Sequence, residues 1–332
     1  MEWLQLLRKR RSNQIKKPVA FKVDETFRDD ILSYDEAVLI FINDGKIKNL
    51  SPHTLKYYEN ELSVFKKILM ALELPTEPIK LTKTMIKEQA IVYMTNDLEL
   101  KITTVNTRLR AVRALFNYLY KEKYIANNPV KDLSLLKQKK TVIATFSKEQ
   151  IMRLLQQPDL STFTGFRDYT IMLLLLETGI RAKEIVGISV HDINFGDSSI
   201  IIRDGKGYKE RLVPIQRDMQ KQLKKYLDVR GQAEDDALFL TIDNTSLTKR
   251  QLQQRIKDYG NSAGIKTVRC SPHTFRHTFA KMCVKGGAGI FELQQILGHT
   301  SMEMVRNYVN LFSDDVKDKH REFSPLNQLK KR

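Results

Sequence analysis

Between residues 34 and 130 apolar side chains return every three or four positions, the spacing of helices with one buried face. In "SPHTLKYYENELSVFKKILMAL", Leu55, Tyr58, Leu62, Phe65 and Leu69 fall on one stripe. Ser51 stands where an N-cap belongs, and Pro52 takes the first helical position. The prolines of "ELPTEP" break the pattern, and a second helix is predicted through "KTMIKEQAIVYMTND". A third, "TTVNTRLRAVRALFNYLYKEKYI", should bury Val105, Leu109, Val112, Leu115, Phe116 and Leu119 and show Arg108, Arg110 and Arg113 on its other side. No strand period interrupts these segments, so a compact helical domain is expected over 34–130.

Pro129 ends that pattern, and residues 131–144 read as a wet, lysine-rich linker that includes Lys139 and Lys140. Ser147 and Gln150 form a capping-box pattern that opens a second domain, expected over 145–332. Helices are predicted over roughly 147–157 and 164–188. Within the second, the apolar run "TIMLLLLETGI" ends at a glycine turn, and Arg181 stands where the next helix starts. The period then changes. Ile200 to Ile202 and "RLVPI" read as strands joined by the turn "DGKG", which holds Lys206 at its tip. Helices are predicted to resume after Pro214 and to continue, with short breaks, to the end. The expected fold is mainly α with a small β-sheet: a helical domain followed by a mixed α+β domain.

Charge adds a partner to this picture. Lys and Arg total 56 against 39 Asp and Glu, a net +17. That surplus favours a polyanion, nucleic acid first and an acidic membrane second. It is concentrated: residues 101–140 hold ten Lys or Arg and two Asp or Glu. Arg108, Arg110, Arg113, Lys139 and Lys140 are therefore candidate contacts to a phosphate backbone. Residues 1–33 form a basic arm carrying Arg8, Lys9, Arg10 and Arg11. No apolar run is long enough to span a membrane or serve as a signal peptide, so a cytoplasmic protein is expected. Two cysteines, Cys270 and Cys283, are too few for a disulfide framework and read as buried thiols.

The candidate chemistry lies in the second domain. The chain has six histidines, and "SPHTFRHTFA" holds two of them, His273 and His277, beside Arg276. His273 and Arg276 are three apart and share a helix face. His273 and His277 have the four-residue spacing of a zinc helix. Zinc hydrolysis of that type needs a carboxylate beside the first histidine, and Thr274 stands there instead. No metal is expected, and His277 is expected to pack inside or orient a neighbour. His299 follows Gly298 in "ILGHTSMEMVRNYVN", which also contains Tyr308.

Four pieces in this order, "TGIRAKEI", "GKGYKERLVPI", "SPHTFRHTFA" and "LGHTSMEMVRNYVN", resemble the tyrosine recombinase or phage integrase family, with Xer-like or transposon-type members nearest. The resemblance covers about 145–325, and the preceding helices fit the family's SAM-like core-binding domain. It implies a site-specific recombinase that cleaves and rejoins DNA through a 3′-phosphotyrosyl intermediate, with no cofactor. Tyr308 would be the nucleophile and His273 the base or proton relay. Arg181, Arg276 and His299 would hold the phosphate, Lys206 would protonate the leaving oxygen, and Glu184 would support the network. The family also implies a tetramer on two paired DNA sites, with the tail after Tyr308 docked on a neighbouring subunit, and it admits accessory DNA-bending proteins. Two rivals use the same fold or chemistry: a DNA-binding regulator that does not cut, and a type IB topoisomerase. The complete set of six residues argues against the first, and the recombinase-like motifs against the second.

Overall fold

The computed structural model describes residues 32–138, 144–203 and 210–298. The basic arm up to residue 31, Lys139, Lys140, Lys206, His299, Tyr308 and the tail lie outside the described residues. The chain divides into two compact units between Lys140 and Thr141.

The first unit is built on helices α1 (Tyr34–Ile47), α2 (Pro52–Ala71) and α3 (Ile102–Lys121). Ser33 caps α1 through a capping box with Glu36, and Ser51 caps α2 by accepting the Thr54 N–H at 3.2 Å. The apolar stripes meet as the pattern requires. Leu62, Phe65 and Leu69 of α2 and Leu109, Leu115 and Phe116 of α3 are fully buried together. Each such side chain contributes on the order of 1.5–3 kcal/mol by leaving water. The predicted middle helix is wound more loosely, as π-type turns over Met85–Ala90 and Tyr93–Asp97 that still bury Ile86 and Met94. Asn106 holds Leu136 by two hydrogen bonds, from Asn106 Nδ2 to the Leu136 carbonyl at 2.9 Å and from Leu136 N–H to Asn106 Oδ1 at 2.8 Å.

One expectation about α3 is corrected. Arg108 is buried, with its Nε 3.1 Å from Glu61 Oε2 and its guanidinium against the Met94 sulfur. Arg110 is exposed and Arg113 half-buried. Residues advance about 100° each around a helix, so positions 108 and 110 point about 200° apart and cannot share a face.

The second unit begins with α4 (Lys148–Leu155), capped by Ser147 and Gln150. Helices α5 (Phe163–Thr178) and α6 (Ala182–Val186) follow. A three-stranded antiparallel sheet has the order β1 (Ile193–Asn194), β2 (Ser199–Arg203), β3 (Glu210–Pro214). Ile200 pairs with Val213 and Ile202 with Arg211. Then come α7 (Arg217–Arg230), α8 (Lys249–Ser262), α9 (Pro272–Lys285) and α10 (Ile290–Leu297). Helix α5 packs against both α7 and α9, and β3 packs against α10. Leu174, Leu175, Ile200, Val213, Tyr226 and Phe275 lie in the core so formed.

Helices do resume after Pro214, but one of the breaks expected to be short is long. Gly231 at φ +64° stops α7, and residues 231–248 run as turns held by single bridges, Ser189 to Ala237 and Leu240 to Ser246. Helix α8 is fixed from below by the buried carboxylate of Asp168. That group accepts from Arg167 Nε at 2.9 Å, Arg255 Nε at 2.6 Å and the Tyr259 hydroxyl at 2.9 Å. Among the described residues no helix is long and apolar enough to cross a membrane.

Candidate active site

The site is assembled at three element ends. The first is the turn between α5 and α6. Gly179 closes α5 in the left-handed region at φ +60°, where a Cβ would collide with the Phe279 ring, so glycine is needed for two reasons. This turn makes Arg181 the N-cap residue of α6, and its N–H donates to Glu184 Oε2 at 2.8 Å. The Arg181 guanidinium also reaches Glu184, from Nη1 to Oε1 at 2.7 Å, yet its side chain remains 40% exposed.

The second end is the start of α9. Ser271 caps it by accepting the Thr274 N–H at 3.2 Å, and Pro272 takes the first position. His273 therefore stands in the first turn, with Arg276 one turn behind it. Arg276 is buried. Its Nη1 donates to the Gly179 carbonyl and its Nη2 to the Leu297 carbonyl, both at 2.8 Å. The His273 and His277 rings meet edge to face, 4.4 Å between centroids.

The third end is the C-terminus of α10, where the last carbonyls of a helix lack partners within it. Three arginines from elsewhere take three successive ones. Arg211 Nε donates to the Ile296 carbonyl at 2.9 Å, Arg276 to Leu297, and Arg181 Nη2 to Gly298 at 3.0 Å. Gly298 is left-handed at φ +62°, and a Cβ there would lie 2.8 Å from the Arg211 guanidinium.

The electrostatics follow from this geometry. Burial raises the Glu184 pKa, but the hydrogen bonds of Arg211 and Arg181 and the Arg211 charge outweigh it and hold the carboxyl at about 2. His273 is pushed below its ordinary value by burial of its inner side and by the Arg276 and Arg181 charges. His277 is pushed to about 4 by burial, His273 and Arg276. Both imidazoles are thus neutral at pH 7, and a neutral imidazole can accept a proton.

The site opens into a cleft of about 620 Å³ lined by Arg181, Lys183, Lys249, Arg269, His273 and Arg276. A cleft of about 820 Å³ adjoins it, sharing Gln253, Arg269 and Ser271 and adding Arg250, Lys257 and Lys266. No carboxylate appears among the described residues lining either cleft. Preorganised guanidinium groups, a neutral histidine and a cationic trough suit a bound phosphodiester and its transition state.

Of the residues expected at the site, Arg181, Glu184, His273 and Arg276 come together here, while Arg108, Arg110 and Arg113 belong to the other unit. Arg211 was missed. Its signal lies in the strand period: in "ERLVPI" it shares the core face with Val213 and Ile215, and a cation there needs a buried carboxylate.

Residues 144–314 match the phage integrase family, and residues 46–123 match the phage integrase N-terminal SAM-like domain. The tyrosine recombinase XerC of Chlamydia caviae is 34% identical over 298 residues, covering 84% of this chain and 95% of that protein. The XerC of Thermodesulfovibrio yellowstonii is 31% identical over 280 residues, covering 82% and 90%. Among solved structures, the XerH site-specific recombinase bound to palindromic difH substrate superposes with a TM-score of 0.70 at 21% identity, covering 87% of this chain and 84% of that one. The Tn1549 transposon integrase in complex with transposon right end DNA gives 0.71 at 19% identity, covering 88% and 99%.

Proposed function

The chain belongs to the phage integrase family of tyrosine recombinases, and we propose that it binds duplex DNA and recombines it through the residues gathered around Arg181, His273 and Arg276. It is a site-specific recombinase, an enzyme that cuts and rejoins DNA strands by way of a tyrosine. In this reading the Tyr308 hydroxyl attacks the scissile phosphorus. The bond from phosphorus to the 5′ oxygen breaks, leaving a 3′-phosphotyrosyl link and a free 5′-hydroxyl. A phenol is mostly protonated at pH 7, so its proton must go to a base, and neutral His273 accepts it. Lys206 gives a proton to the departing 5′ oxygen. Arg181, Arg276 and His299 donate to the non-bridging oxygens as charge grows there. Glu184 holds Arg181 in place. Rejoining reverses these steps with the 5′-hydroxyl of another strand, and the bond energy is kept in the phosphotyrosine.

The observation that carries the reading is the pair of guanidinium groups already anchored on backbone carbonyls, beside a neutral histidine and at the edge of a cleft whose described lining carries cations and no carboxylate. Arg110, Arg113, Lys139 and Lys140 would add phosphate contacts, four subunits would act on two paired sites, and DNA-bending proteins would assist where the site requires them. The test is covalent trapping on genomic DNA flanking the gene, which also maps the site. Tyr308→Phe should abolish the adduct and leave site binding nearly intact. A normal adduct from that variant would sink the assignment.

A further inference from the structure

We infer that Arg211 is a positioning residue of the recombination reaction: it sets Arg181 through Glu184 and, through the Ile296 carbonyl, sets the end of α10 on which Arg181 is also held. The inference rests on the reading of Arg181 as a donor to the scissile phosphate. Arg211 touches no substrate in this scheme.

Its bonds are specific to a planar fork. Nη1 and Nη2 face the two oxygens of Glu184, at 3.1 Å to Oε1 and 2.8 Å to Oε2, while Nε turns to Ile296 at 2.9 Å. One guanidinium thus joins strand β3, helix α6 and the C-terminus of α10, parts 27 and 85 residues away along the chain. Glu184 spends its two oxygens on both arginines, accepting from Arg211 and from the Arg181 N–H and Nη1. Among the described residues, the carboxylate without Arg211 keeps Arg181 alone and can rotate with it. The Ile296 carbonyl also loses its donor, two residues before Gly298, whose own carbonyl holds Arg181. The same arginine therefore constrains Arg181 from both sides. The bare Cα of Gly298 fits the arrangement, because a methyl group there would press on this guanidinium. A lysine at 211 keeps the charge but makes a single point contact in place of three directed bonds.

The experiment uses the full chain and the duplex mapped through the Tyr308 adduct. A nick just downstream of the scissile phosphate lets the short 5′-hydroxyl fragment escape, so cleavage is trapped in one turnover. Arg211→Lys should slow cleavage by about 10-fold or more, the size of losing part of a preorganised donor set. Site affinity should stay within about 2-fold, because no phosphate contact is removed. Glu184→Gln should give a similar loss, and the double variant should be little worse than either single one, since both act through one network. Sulfur in place of the leaving 5′ oxygen removes the need for protonation. The Arg211→Lys defect should persist on that substrate; its disappearance would move the role to proton delivery and overturn the inference. Arg211→Met is the second variant, uncharged and compatible with a strand. Wild-type cleavage by a folded Arg211→Met or Arg211→Lys, alongside an inactive Arg181→Ala, overturns the inference and leaves the site intact. Normal cleavage by Arg181→Ala means that the reading of the site itself has failed.

Discussion

Arg276 shows how one residue serves structure and chemistry together. It is buried, and two of its N–H groups hold the carbonyls of Gly179 and Leu297, so the guanidinium plane is fixed before any substrate arrives. Arg276→Lys cannot reproduce that fork. Cleavage should fall about 10²-fold, the usual cost of one preorganised transition-state donor, and full cleavage by the lysine variant would show that the clamp lies elsewhere. His277 makes a prediction of a different kind. Its folded value of about 4 lies below the ordinary 6.5. Between those limits the unfolded chain binds a proton that the folded chain refuses. The contribution of this residue to stability is therefore full above pH 6.5 and is lost as pH falls toward 4. His277→Gln should flatten the dependence of melting temperature on pH in that window. An unchanged slope would assign the acid sensitivity to other groups. Glu184 acts lower, between its ordinary 4.5 and about 2.

At the scale of elements, the site depends on where helices stop. The turn after α5 and the turn after α10 each need a left-handed residue, and each is pressed by a side chain, Phe279 at Gly179 and Arg211 at Gly298. Alanine at either position adds backbone strain and a steric clash, together about 1–3 kcal/mol. The two should differ in readout. Gly179→Ala should lower the melting temperature, because Phe279 is buried and has nowhere to go. Gly298→Ala should also displace the Arg211 guanidinium and slow cleavage. Comparing thermal melts with single-turnover rates checks this; a Gly298→Ala protein with normal rates would mean that the end of α10 tolerates movement.

For the whole molecule the governing quantity is charge, +17 over 332 residues. If both units contact phosphates, affinity for the site should fall steeply with salt, with a log–log slope of about −0.9 for each phosphate neutralised. Cutting the chain near Lys139 should weaken binding by far more than the loss of either half's contacts, because the tether that raises effective concentration is gone. Titrating intact and divided protein by gel shift at several salt concentrations tests both points. Equal affinity of residues 145–332 alone would show that the first unit does not hold DNA. Removing residues 314–332 should impair assembly on paired sites while sparing single-site binding, because so short an amphipathic segment cannot form its own core and its few apolar residues need another surface. Normal four-subunit complexes from the truncated chain would deny the tail that role.

Local pattern carried the elements because it depends on neighbours in the chain. The stripe of Leu62, Phe65 and Leu69, the caps at Ser51 and Ser147, and the glycine turn before Arg181 were all legible as spacing and chemistry. So was the family, because its motifs are short, ordered and rich in residues that bind phosphate. What spacing could not give is the set of partners made across the fold. Arg108 looked like a surface cation, but α3 turns it inward to Glu61. Arg211 was not singled out, because its partner Glu184 is 27 residues away along the chain and only the fold brings the core face of β3 against it. The meeting of Arg181, Arg211 and Arg276 on three consecutive carbonyls, the last two of α10 and that of its cap Gly298, is a tertiary fact of the same kind. Helix ends leave carbonyls unpaired whatever the sequence, and only packing decides which distant donors arrive to satisfy them.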